Sequence, residues 1–339
     1  MTAFKSYFKS HLKQSAKTLM YILVISVIIT LLVALTGQVY EDKNYLTGEV
    51  ENIRYYSTIY TPVFLLVVLC YIIPVTEFSF FKKRINLDCA YSLPISRRAM
   101  GSVHFLMGLI TVIAAFSASY LTNFIMLLVR GAEHYNLAPL LFHYPVCLLL
   151  GAAIYSFTVF VFCEANTKGD GIWFIALWTF APILVIACIE YSTSTNLFFD
   201  YATCAIHWGT LDTFTLNVQY MVEISYAVYY SPEEFFSSAE AMLWIVGWIL
   251  VGVMATVALY RTFGKRRMEK TEEISDSYFG YRTLIPLFAI TGNIVFDDVV
   301  FWIIIEILAV VGYTIYRRGF HYKKIDIALL IGLILFLFI

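Results

Sequence analysis

Leu19-Met-Tyr-Ile-Leu-Val-Ile-Ser-Val-Ile-Ile-Thr-Leu-Leu-Val-Ala-Leu-Thr36 runs for 18 residues without a charged side chain. A hydrocarbon core about 30 Å thick is crossed by roughly 20 apolar residues in a helix, so this stretch reads as a membrane span. Five more of the same kind follow, at residues 58–76, 102–129, 144–163, 172–189 and 241–260. Three shorter apolar stretches occupy 283–296, 299–316 and 327–339, and the first and last of these are short for an upright crossing. Composition agrees: of 339 residues 60% are hydrophobic, 17% aromatic and 14% charged. A soluble domain carries about 25% charged residues, so this chain lacks the polar surface a water-soluble globule needs. The fold class predicted is an all-α polytopic membrane protein.

The basic residues set the orientation. Of the 23 lysines and arginines, all but Lys43, Arg54 and Arg130 fall on connections of one side. This predicts a multi-pass protein whose N-terminus and six-span core ends face the cytoplasm. The basic stretch before Leu19 and the apolar run after it are both long, and no small-residue cleavage site follows Thr36, so the first span is read as retained rather than as a signal peptide. A net charge of −1 argues against a nucleic-acid partner.

The connections divide the chain further. In residues 1–18, Lys5, Lys9, Lys13 and Lys17 recur every fourth residue beside Phe4, Phe8 and Leu12, a pattern that predicts an amphipathic helix along the lipid surface. Within the span region 19–260, residues 82–100 form a short connection that is basic at both ends, with an apolar centre interrupted by Pro94 and with Ser92 and Ser96 as capping oxygens. Residues 191–239 have no lysine or arginine and are dense in aromatics, which predicts segments at the opposite interface. A basic linker, 261–282, leads to the additional membrane segments of 283–339.

A search for chemistry finds no constellation of an enzyme. The pair Gly264-Lys265 lacks the rest of a phosphate-binding loop, and neither HExxH nor G-x-S-x-G occurs. Six cysteines (Cys70, Cys89, Cys147, Cys163, Cys188, Cys204) show no CxxC spacing, and the six histidines are distant from one another in the chain, so no metal site is predicted. Glu77 and Glu164, at span ends, are placed to pair with adjacent basic residues. Glu306 is the one carboxylate deep in an apolar run, and an intramembrane acid is a functional candidate by default.

Three features together resemble the membrane subunit of ABC-2 type (type V) ABC exporters of Gram-positive bacteria. They are Phe80-Phe-Lys-Lys-Arg84 with Tyr91-Ser-Leu-Pro-Ile-Ser-Arg-Arg98, the six-span layout with a long outer segment before the sixth span, and Tyr260-Arg-Thr-Phe-Gly-Lys-Arg-Arg-Met-Glu-Lys270. The segments beyond Lys270 make the chain similar to permeases of phenol-soluble-modulin-type peptide exporters. The resemblance implies a six-span ABC-2 helical bundle in the bacterial plasma membrane. It also implies a coupling helix over residues 86–98 docking on a separate ATPase, with Asn86, Asp88, Tyr91, Ser92, Leu93, Pro94, Ile95, Arg97 and Arg98 at or near the contact. Residues 1–18 would be the family's connecting helix and 191–239 its re-entrant segment.

The function so implied is export of an amphipathic or hydrophobic cargo by two permease copies, homodimeric or heterodimeric, with two ATPase subunits. No cofactor is bound by this chain; ATP and Mg2+ sit on the partner. Tyr60, Phe64, Tyr71, Trp178 and Phe180 are candidates for the path. The alternative is an ion-coupled secondary transporter working through Glu306.

Overall fold

The computed structural model describes residues 2–36, 40–43, 50–54, 56–129, 138–193, 239–265, 271–295 and 299–336. Among them the elements are α1 (Thr2–Thr36), β1 (Tyr40–Lys43), β2 (Val50–Arg54), α2 (Tyr56–Phe78), a 3-10 turn (Ser79–Lys82), α3 (Arg84–Tyr91), α4 (Arg97–Val129), α5 (Ala138–Glu164), α6 (Lys168–Thr193), α7 (Ala239–Lys265), α8 (Tyr281–Val295), α9 (Val299–Arg317) and α10 (Lys324–Phe336). Among the described residues the regular structure is helical apart from the antiparallel pair β1–β2, in which Tyr40 faces Arg54 and Glu41 faces Ile53. Composition and hydropathy had left no place for that pair.

Six helical segments among the described residues are long and apolar enough to cross a membrane: Phe4–Thr36, Tyr60–Lys82, Arg97–Val129, Leu141–Glu164, Ile245–Gly264 and Val300–Arg317. This is the architecture of a multi-pass membrane protein. The predicted span at 172–189 lies in α6, which is 26 residues long. Val300–Arg317, grouped with the short stretches by sequence, is long enough to cross. The predicted outer segment 191–239 lies outside the described residues except for its two helical ends.

The chain forms two compact units. In the first, α1, α2, α4, most of α5 and α7 pack together. Buried polar side chains link its helices. Thr30 Oγ1 and Ser119 Oγ meet at 2.5 Å, linking α1 to α4. Pro74 in α2 cannot donate to the carbonyl four residues back, which is that of Cys70. Thr158 on α5 supplies the missing donor, its hydroxyl reaching the Cys70 carbonyl at 2.7 Å. A proline inside an apolar helix is tolerated when a neighbour re-satisfies the freed backbone in this way. Cys70 Sγ returns a bond to the Gly151 carbonyl at 3.3 Å. Where α7 meets α5, a Cβ on Gly252 would stand 2.6 Å from Ala153 Cα, so the two backbones touch through small residues.

The second unit holds the last turn of α5, residues 81–84, α6 and α8–α10. Two of its tyrosine hydroxyls are held by carboxylates. Tyr281 donates to Asp170 at 2.8 Å and Tyr316 to Asp276 at 2.8 Å, and the Tyr281 and Phe174 rings meet edge to face at 5.0 Å. The predicted basic linker 261–282 is not a free linker where it is described. Its first residues complete α7. Ser275 and Ser277 bond the backbone carbonyl and carboxylate of Glu164. Glu164 thus meets serine hydroxyls rather than the adjacent basic residues expected.

Candidate functional site

The connection from α2 to α4 is built from local rules. After the 3-10 turn, α3 runs for eight residues and closes with the Ser92 amide on the Asp88 carbonyl at 3.2 Å. A bend follows at Leu93-Pro94-Ile95. Pro94 excludes a continuous helix through this stretch. Ser96 Oγ accepts the Ala99 amide at 3.3 Å, capping the start of α4. Leu87 is buried at 1% exposure and anchors α3, while Ile85 (73%) and Leu93 (42%) present apolar surface outward. Asp88, Ser92, Pro94, Arg97 and Arg98 are exposed, and Asn86 and Ile95 half-buried. The side chain of Tyr91 lies outside the described residues. Ile85, one residue before the predicted element, is more exposed than Leu93 within it. The spacing of Ile85, Leu87 and Leu93 along the chain does not tell the outward residue from the anchor. Arg98 folds over the Tyr260 ring at 5.3 Å.

Three of the basic residues read as surface charges of this connection differ in role. Lys83 is exposed. Arg84 is half-exposed and pairs with Glu272 and Glu273 at 3.9 and 3.8 Å. Lys82 is 3% exposed. Its ammonium donates to the carbonyls of Phe162 (2.7 Å), Cys163 (3.5 Å) and Ala165. These carbonyls belong to the last turn of α5 and the residue that follows it, so Lys82 is a C-terminal helix cap and not a membrane-surface anchor.

Residues 2–18 are continuous with the first span, since α1 is one helix of 35 residues. Lys5, Lys9, Lys13 and Lys17 are all exposed on it. Roughly opposite them, Tyr7 and His11 turn inward onto α2 and α4, and this packing holds the segment in line with the first span.

Tyr7 and His11 complete a cluster that the sequence did not announce. His11 Nε2 lies 3.1 Å and His104 Nδ1 3.4 Å from the same oxygen, Oε2 of Glu77. The two imidazole centroids are 4.2 Å apart. Tyr7 Oη is 3.2 Å from His104 Nε2, and the Phe80 ring stacks on His104 at 6.2 Å. Glu77 therefore meets histidines from two other helices, not the basic residues that follow it. His11, Glu77 and His104 are separated by 66 and 27 residues, so no local spacing reveals them; the reading of the histidines as unrelated is overturned for this pair. Among the described residues these three are the group whose donor atoms, all within 4.8 Å, have the make-up of a metal site.

The remaining candidates are dispersed. Tyr60, Phe64 and Tyr71 fall on one stripe of α2, with Phe64 exposed. Trp178 donates its indole N–H to the Phe279 carbonyl at 2.8 Å and packs on the Phe279 ring, and Phe180 is half-buried. Glu306 on α9 accepts the amide of Asn293 on α8 at 3.1 Å, and the Asn293 carbonyl takes the Trp302 indole at 2.9 Å. The acid is thus joined to a neighbouring helix. No family model, curated protein or solved structure matches the chain.

Proposed function

We propose that the chain is the permease subunit of an ABC-2 type exporter, moving an amphipathic or hydrophobic cargo across the bacterial plasma membrane. Two copies, identical or not, would form the conduit, and a separate pair of ATPase subunits would bind ATP and Mg2+. The observation that carries this reading is the α2–α4 connection. Between two helices long enough to cross a membrane, α3 and its Leu93–Ile95 bend present Ile85, Leu93 and Pro94 outward, anchored by Leu87 from beneath. Apolar side chains held outward on a short, capped helix are suited to a cleft on a soluble partner. The family resemblance of Tyr91-Ser-Leu-Pro-Ile-Ser-Arg-Arg98 supports the identity of that partner. ATP binding would draw the ATPases together, push on residues 86–98 and reorient α2 and α4, giving alternating access. The abundance of aromatics and scarcity of charge in the spans support an apolar cargo. Glu306, on which ion coupling would rest, has a partner across α8–α9.

The test is purification of the tagged chain from its native membrane in mild detergent, with ATPase activity as the readout. A co-purifying ATPase that is lost when Leu93, Pro94 and Ile95 are replaced by alanine supports the proposal. Leu93 and Pro94 are exposed surface sites worth within about 0.5 kcal/mol each, and Leu93→Ala with Pro94→Ala alone, which leaves the half-buried Ile95 in place, gives the same loss. A preparation free of ATPase under conditions that preserve known exporters refutes it.

A further inference from the structure

We propose that His11, Glu77 and His104 form a zinc site joining α1, α2 and α4. Zinc bonds to histidine nitrogen and carboxylate oxygen are about 2.0–2.1 Å, which puts neighbouring ligands of a tetrahedron about 3.3–3.4 Å apart. The two nitrogen-to-Glu77 separations are 3.1 and 3.4 Å. Glu77 Oε2 therefore lies near that spacing from both nitrogens, and the three donor atoms, from three helices, all fall within 4.8 Å of one another.

The surroundings have the arrangement that supports a metal ligand. A ligating histidine holds its second ring nitrogen in a hydrogen bond, which fixes the tautomer and the ring orientation. His104 does so with Tyr7 Oη at 3.2 Å. With Nε2–H donated there, the Nδ1 lone pair is directed at the Glu77 side of the cluster. Phe78 and Phe80 surround the His104 ring, each at 6.2 Å, and the Tyr7 and His11 rings stack at 6.2 Å. His104 is 6% exposed, while His11 and Glu77 are 13% and 15% exposed. The cluster is thus shielded on the His104 side and reachable from the other. Glu77 also sits in the last turn of α2, where the helix dipole disfavours a carboxylate and favours a cation.

The donor set narrows the choice to a borderline divalent cation. Two imidazoles with one carboxylate suit a borderline cation such as Zn2+; Mg2+ and Ca2+ prefer oxygen alone, and Cu(I) prefers sulfur. Three protein ligands leave one position for water. This inference is independent of the exporter reading.

The test uses the full-length chain in detergent, stripped by chelation and titrated with Co2+, whose visible d–d bands report a tetrahedral site. One Co2+ per chain, displaced by Zn2+, is expected. Glu77→Gln and His104→Ala abolish the bands, and the exposed His321→Asn leaves them unchanged. Tyr7→Phe keeps all three ligands and weakens binding about ten- to a hundred-fold through the lost hydrogen bond; it decides the matter if the ligand variants fail to fold. A wild-type chain that takes up no Co2+, bands that survive Glu77→Gln and His104→Ala, or a Tyr7→Phe affinity equal to wild type would overturn the proposal.

Discussion

Replacing Lys82 by methionine keeps the length of the side chain and removes the ammonium that ends α5. Three N–H donors meet three carbonyls, those of Phe162, Cys163 and Ala165, and the charge lies 4.8 Å from the Phe162 ring centroid. Each buried acceptor left without a donor costs about 1–3 kcal/mol. Against that, the variant no longer has to desolvate a cation, which offsets part of the loss. The balance is about 2–4 kcal/mol, and each 1.4 kcal/mol is tenfold in an equilibrium. Opening of the α5 end should therefore become at least about thirty-fold more frequent.

Cys163 reports it directly, being buried beside the capped carbonyls. In a chain whose other cysteines are replaced, the labelling of Cys163 by a thiol-reactive fluorophore should accelerate by that factor, because labelling under native conditions follows the population of the open form. In a second chain that keeps Cys70 alone, that thiol, in the first unit, should label at the wild-type rate. Lys82→Arg should fall between, since a planar guanidinium fork does not reproduce three donors from one point. Equal labelling of Cys163 in Lys82→Met and wild type would refute the capping argument.

Gly252→Val places a Cβ 2.6 Å from the Ala153 backbone and should cost about 1–3 kcal/mol by overpacking, seen as a lower unfolding midpoint in detergent; an unchanged midpoint would mean that α5 and α7 do not pack closely there. Glu306→Gln should keep the midpoint, because its amide still accepts from Asn293, whereas Glu306→Leu strands that buried amide at a cost of about 1–3 kcal/mol. Gln as damaging as Leu, with transport lost, would instead favour ion coupling. At the start of α10, burial pushes the Asp326 carboxyl up, but the Arg317 guanidinium and the Lys323 amide bond to it and hold it below the usual carboxylate range. A lowered folded value means its stabilisation is complete above about pH 4 and fades as pH falls through the folded value. Amide exchange in α10 should accelerate at that low pH in wild type and be insensitive to it in Asp326→Asn.

Spans were legible because a bilayer demands long runs without charge and a helix that satisfies its own backbone. Helix ends were less so. The 102–129 span begins at Arg97, since Ser96 and not hydropathy sets the start of α4. The first span begins at Thr2, because a lysine-rich segment with one inward face propagates the helix. The α2–α4 connection was readable from Pro94 and its serines, but not the division between Leu87 inside and Ile85 outside, which depends on what packs beneath. Nothing in the basic end of the 82–100 connection sets Lys82 apart from Lys83, because basic residues flanking spans are surface charges as a rule; only the proximity of the α5 carbonyls makes burial favourable. The His11–Glu77–His104 cluster had no periodicity to betray it, since each member is one residue on its own helix.

Continuity of α1 has a mechanical consequence. Thirty-five residues at about 1.5 Å each make a rod of about 52 Å, some 20 Å longer than the hydrocarbon it must cross. A rocking of 10° about its midpoint sweeps the N-terminus through about 4–5 Å. Tyr7 and His11 grip α2 and α4 near that far end, where the lever arm is longest, so a modest grip there resists tilting far more effectively than the same contacts would at mid-membrane. Releasing those two side chains removes the hold with the longest arm, while the Thr30–Ser119 bond keeps the other half of the rod joined to α4.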